Sequence, residues 1–401
     1  DASGHVRHRL LETIRLFALS RLIEAGQAVE MRNRHLAHFC ADPAGDSLEF
    51  MMSKGSVFRR GLEYENFRAA ATWAFERGDH TATSRIAGMI AEMAVPRGEV
   101  QIAIDAMRLE AEHDDVERTM IDTLLGWTLT VQGDPVGAEP ILRGAIEMGG
   151  RALSDFLTFA LEAEGSRMGV LGDPDAQSKL WQEAHDLAYE HFGPNARAQT
   201  DLFWLSWLIS IFQYDKAIEL STICLRNAQD YGFIHVIEAY RAMAFLLKGS
   251  IEEAWDTVAR FSEVPQGSQW AHLRSLMTNT VLGHMDGPEE AARALTREMR
   301  EITSRRPQIT GDVLVGYAYL AHLRGEEGRS TEILDNCFPF AIYAIHNALN
   351  LRGHNLQEQD QETVLQVIRS VATDDPPVAR MARATANSPR ILAEELARWS
   401  S

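Results

Sequence analysis

A punctuation mark recurs between the helical runs of this 401-residue chain at a nearly constant interval. Gly133-Asp134-Pro135 precedes Ala138, and Gly172-Asp173-Pro174 precedes Ala176. Gln213-Tyr214-Asp215 precedes Ala217, Gly249-Ser250 precedes Ala254, Gly287-Pro288 precedes Ala291, and Gly328-Arg329-Ser330 precedes Ile333. The first residues of successive marks lie 39, 41, 36, 38 and 41 apart. Each component has a physical role. Glycine adopts the left-handed conformation that ends a helix, and Asp or Ser accepts from the free N–H groups of the next one. Proline fits the first helical turn, and a small residue soon after lets two helices approach. A unit of this kind is a helical hairpin that cannot bury its own apolar faces and needs a neighbour on each side. A fixed period of such units predicts an α-solenoid. Tetratricopeptide repeats have a period of about 34, so these hairpins carry longer helices.

Helical periodicity supports the same conclusion. Ala217, Leu220 and Cys224 share one face, as do Ala254, Val258 and Phe261, and Ala291, Leu295 and Met299. Only the short start His5-Val6-Arg7-His8-Arg9-Leu10 has any strand-like alternation. The fold expected is therefore all-α. Trp73-Ala74-Phe75-Glu76-Arg77-Gly78-Asp79 reads as a further hairpin mark upstream, with a break at Pro96-Arg97-Gly98. Past residue 335 the period fades. Asp374-Asp375-Pro376-Pro377 interrupts it, and Ile391 to Trp399 reads as a last amphipathic helix.

Charge and cysteine usage exclude several function classes. Acidic residues outnumber basic ones 57 to 39, for a net charge of −18. A chain so acidic repels phosphate backbones, which argues against nucleic-acid binding by this segment. The cluster Arg59, Arg60 and Arg68 leaves a local basic patch open, but a solvated helix face is the expected reading. Three scattered cysteines give no disulfide framework and fit a reducing cytoplasm. No run reaches the roughly 18 apolar residues of a membrane span. The first residue is Asp1 and no leader pattern follows, so the sequence reads as a piece of a longer protein.

No motif carries catalytic chemistry. The phosphate loop G-x-x-x-x-G-K-[ST], the nucleophile elbow G-x-S-x-G and H-E-x-x-H are all missing. Asp114-Asp115 and Asp374-Asp375 sit in loop-like contexts where carboxylates are solvated. His35 and His38 share a helix face, but Cys40 points elsewhere, so packing is expected there and no metal or other cofactor.

The apolar run Leu202 to Phe212 carries the best binding candidates. Leu202, Leu205, Ile209 and Phe212 form one stripe and Trp204, Trp207 and Ile211 another, with Ser206 and Ser210 on the small remaining face. Such a helix is either the buried middle of the array or the aromatic floor of a groove, and both readings stand. Trp127, Tyr240, Arg241, Trp270 and Arg274 are further groove candidates, with an Arg able to clamp a carboxylate.

Two stretches resemble a known family. They are His8-Arg9-Leu10-Leu11-Glu12-Thr13-Ile14-Arg15-Leu16-Phe17-Ala18 with Ala25-Gly26 and Arg34-His35-Leu36-Ala37-His38-Phe39, and Glu63-Tyr64-Glu65-Asn66-Phe67-Arg68-Ala69-Ala70 with Trp73. Both resemble bacterial signal-transduction ATPases with numerous domains, including AfsR-like and LuxR-type transcriptional regulators. The close resemblance covers about the first 110 residues. It implies that residues 1–42 close a winged-helix module and lead by a linker helix into a sensor arm. Residues 43–118 are then the arm's first hairpins, 119–335 its tetratricopeptide-like repeats and 336–401 a helical cap. The ATPase and any DNA-binding domain would lie outside this chain. The function implied is sensing of a protein, a peptide or a small-molecule effector, without catalysis, and with oligomerisation possible through the full-length protein. A free-standing peptide- or protein-binding scaffold and a metabolite-binding solenoid are the alternatives.

Overall fold

A computed structural model describes residues 12–94, 99–261, 271–302, 307–337, 366 and 377–400. The strand-like start at His5, the Pro96 break, Trp270 and the Arg274 side chain lie outside the described residues. Among the described residues the chain is all-α, apart from one isolated antiparallel bridge between Ser53 and Tyr231. None of these helices is long and apolar enough to cross a membrane.

The entry region comprises α1 (Glu12–Glu24) and α2 (Ala28–Cys40), then a 3-10 turn (Pro43–Gly45) and the short α3 (Leu48–Met51). It continues through α4 (Lys54–Leu62), α5 (Tyr64–Glu76), α6 (His80–Ala94) and α7 (Val100–Met107). The hairpins follow as α8 (Asp115–Gln132) with α9 (Pro135–Ala152), α10 (Phe156–Val170) with α11 (Pro174–His191), and α12 (Pro194–Ser210) with α13 (Tyr214–Asn227). Then come α14 (Ile234–Lys248) with α15 (Ile251–Val258), α16 (Ala271–Met285) with α17 (Pro288–Ile302), and α18 (Pro307–Leu323) with α19 (Glu327–Asp335). A terminal helix, α20 (Pro377–Arg398), packs on α18.

The turns within these hairpins explain the punctuation. Asp134 accepts from the Gly137 amide at 2.8 Å and Asp173 from the Ala176 amide at 3.0 Å, each capping a helix whose first residue is proline. Left-handed residues stand at Gly133, Gly172, Phe212, Gly249, Gly287 and Gly325. Their spacings are 39, 40, 37, 38 and 38, more even than those of the sequence marks. The last mark is corrected by this: Gly328-Arg329-Ser330 lies inside α19, and the turn is made by Gly325. The third unit lacks a glycine, so Phe212 takes φ 63° and α12 stops at Ser210 rather than running to Phe212. Ala138, Ala217, Ala254 and Ala291 are buried where the paired helices meet, whereas Ala176 is only half-buried.

The first helix of each hairpin touches the first helix of the next, from α8 through α10, α12, α14 and α16 to α18. These helices form the inner layer. The curvature is strong enough that α18 returns to touch α8, closing the array on itself. Residues 42–62 of the entry region lie on this inner layer, and their seat defines the site.

Candidate functional site

Short polar contacts fasten residues 47–57 across three inner hairpins. Asp155, just before α10, accepts from the amides of Leu48 and Glu49 at 2.9 Å each and from the Ser47 hydroxyl at 2.7 Å. Glu49 in turn accepts from the amides at the start of α12, Asn195 at 3.0 Å and Ala196 at 2.9 Å. A carboxylate there answers the free N–H groups and positive end of a helix. Farther along, the Lys54 amide donates to the Asp230 carbonyl at 2.5 Å, and the Gly232 amide donates to the Met52 carbonyl at 2.7 Å. Two glycines make room for this. A Cβ on Gly193 would stand 2.6 Å from the Glu49 carboxylate, and one on Gly232 would stand 2.4 Å from Val57 Cγ2.

Under this segment is a narrow crevice. Met51, Met52 and Arg60 line it, together with Gly88, Met89 and Glu92 of α6. Leu124 and Trp127 of α8 and Phe159 of α10 also line it. Gln199, Leu202 and Phe203 of α12, with Phe233 before α14, complete the wall. The free space is about 30 Å³, room for about two waters. Trp127 packs tilted against Phe159 (centroids 6.1 Å apart) and edge-on to Phe203 (5.9 Å).

Arg60 supplies the crevice's cationic group. Its guanidinium is 1% exposed and donates to the Met89 and Met51 carbonyls, each at 2.6 Å, while its Nε has no hydrogen-bond partner. Burial pushes its pKa down, against the opposing pull of Glu92 and Asp42. The solvated helix face expected of Arg59, Arg60 and Arg68 is thereby corrected. Arg60 is interior, Arg59 is partly exposed and pairs with buried Asp42, and Arg68 lies on the surface, paired with Glu65. Behind the wall the Tyr231 hydroxyl donates to Gln199 Oε1 at 2.5 Å, and burial holds the Glu162 carboxyl well above the usual carboxylate range. A second polar group centres on Asp201. Asp201 accepts from the Tyr189 hydroxyl at 3.1 Å and faces His185 Nε2 at 3.5 Å. Burial works against charge on His185, but the Asp201 and Asp186 carboxylates outweigh it and raise its pKa. Burial pushes the Cys224 thiol up, out of the nucleophilic range.

The aromatic candidates divide between wall and core. Trp127 lines the crevice. Trp207 is buried against Trp181 and Ile211, and Trp204 packs beside them, its ring 6.2 Å from His185. Tyr240 is buried. Arg241 is half-buried with its guanidinium 5.6 Å above the Phe245 ring, and burial lowers its pKa. His35 and His38 both pack on Phe39, at 4.7 and 4.9 Å between ring centroids. Sequence reasoning passed over Met51, Met52, Arg60, Met89 and Glu92, because residues some 30 positions apart converge only when α4 folds against α6. An arginine inside an otherwise apolar helix face was the available signal.

No protein-family model matches the chain. Three curated relatives are each 27% identical over 211 residues. One is from Mycobacterium bovis and two are from Mycobacterium tuberculosis strains, and all are named "Putative HTH-type transcriptional regulator". The match covers 47% of this chain but only 23% of each relative's length. The chain is thus distantly similar to part of proteins named as transcriptional regulators.

Proposed function

We propose that this chain is a non-catalytic sensing arm of a bacterial transcriptional regulator of the ATPase type, working in the cytoplasm. The observation that carries this reading is the likeness to named regulators across nearly half of the chain, in a fold that is a helical array. The resemblance of residues 8–39 to the end of a winged-helix module supports the same placement. A tetratricopeptide-like origin of the hairpins agrees with their turns, although their period is longer. The effector is a small molecule, a protein or a peptide; DNA would be contacted by another module, and a membrane by none.

The crevice suits such a role. It lies where residues 42–62 meet the inner helices, so an occupant that favours one seating of that segment also biases the position of α1 and α2 beyond it. That is a population shift, and it requires only differential affinity for the two seatings. The test is the reading frame around this chain, followed by a reporter assay with the full-length regulator. A phosphate loop upstream and a DNA-reading helix in the same frame are expected. A frame holding neither overturns the regulator reading and leaves a free-standing scaffold.

A further inference from the structure

We infer that the crevice under residues 51–60 is a binding site for a small, uncharged aromatic molecule bearing one carbonyl-type acceptor. The shape selects the ring. Trp127, Phe159, Phe203 and Phe233 present apolar faces from four successive hairpins or their lead-ins, the composition typical of small-molecule sites. The acceptor is selected by Arg60. Arg60 lines the crevice and its Nε–H is buried without a partner, while its other nitrogens are held by two backbone carbonyls. A buried donor left unmade is costly, and an acceptor supplied by a guest removes that cost. A neutral guest is favoured because Arg60 and Glu92 both line the crevice and their opposite charges act on each other.

As packed, the free space is about 30 Å³, so a ring enters only if side chains swing aside. Met51, Met52 and Met89 border the space, and unbranched thioethers change rotamer at low cost and suit aromatic guests. The inference extends the sensing-arm reading by naming its effector class. Binding is measured on the chain itself, so a failure here leaves the regulator reading to the reading-frame test.

The experiment uses the 401-residue chain with ¹³C-methyl methionine and four matched probes: benzamide, toluene, benzoate and benzylammonium. Benzamide is expected to shift the Met51, Met52 and Met89 methyl signals at low-millimolar concentration. Toluene should bind about tenfold more weakly, for want of the charge-assisted hydrogen bond, and the two ions should give no shift. Arg60→Lys, which keeps the charge but removes the Nε–H, should bring benzamide and toluene to parity. Leu124→Phe should block all binding. If either variant misfolds, intermolecular NOEs from benzamide ring protons to those three methyls in the wild-type chain serve instead. Absence of shifts, shifts confined to other methionines, or an equal response to all four probes would overturn the site and leave it a seat for water.

Discussion

Glu49 and Asn195 hold each other at two points. The Glu49 carboxylate accepts from the Asn195 amide at 3.0 Å, and Asn195 Nδ2 donates to the Glu49 carbonyl at 3.1 Å. One step back, Asp155 holds the amide of Glu49 itself. Residues 146 positions apart are thereby joined, and the entry segment becomes part of the inner layer instead of a loose connector.

The first prediction concerns these two carboxylates. Glu49→Ala and Asp155→Ala should each lower stability by about 1–3 kcal/mol, since each strands buried amides. Because both hold the same segment, the double variant should lose less than the sum. Urea unfolding of the cycle measures this, and additivity within about 0.5 kcal/mol would show that the two anchors act independently.

Close approach of the segment to the array can be probed by adding a methyl group. In Gly232→Ala the new Cβ would stand 2.4 Å from Val57 Cγ2 and 3.2 Å from the Met52 carbonyl. Overpacking of this kind costs about 1–3 kcal/mol. Gly150→Ala, in α9 with nothing within 4 Å, should instead stabilise by about 0.5–1 kcal/mol through helix propensity. Thermal melts of the two variants should move in opposite directions.

Leu153 ends α9 in the left-handed conformation at φ 48° while 72% exposed. Its side chain gains little from packing, and the conformation costs a non-glycine residue about 1–2 kcal/mol. After glycine's larger unfolded-state entropy is allowed for, Leu153→Gly should raise stability by about 0.5–1 kcal/mol. An unchanged or lower denaturation midpoint would mean that the leucine packs usefully after all.

Glu162 makes stability depend on pH in a defined direction. Its folded pKa lies well above the unfolded value because burial disfavours the carboxylate. The folded state therefore binds the extra proton. Its contribution is fully present below the unfolded pKa and is lost as pH rises through the folded one. Glu162→Gln mimics the protonated form, so its advantage over wild type should grow from acidic to alkaline pH. Urea midpoints across that range provide the check, and a constant difference would place the charge elsewhere.

The all-α class and the unit of the array are legible in the sequence, because those depend on local chemistry. Left-handed glycines, capping aspartates and first-turn prolines act within a few residues of one another, so their spacing is legible along the chain. Local chemistry is ambiguous at the last turn: Gly325 and Gly328 both lie near it, and only backbone geometry selects Gly325. Tertiary structure alone decided the rest. Arg60 looks like a surface arginine until α4 packs on α6 and buries it, and Trp207 becomes core while Trp127 becomes wall. The closure of α18 on α8 and the seat of residues 47–57 also have no local signature. Each rests on contacts between distant residues, whose energies depend on how small rotations accumulate between neighbouring hairpins.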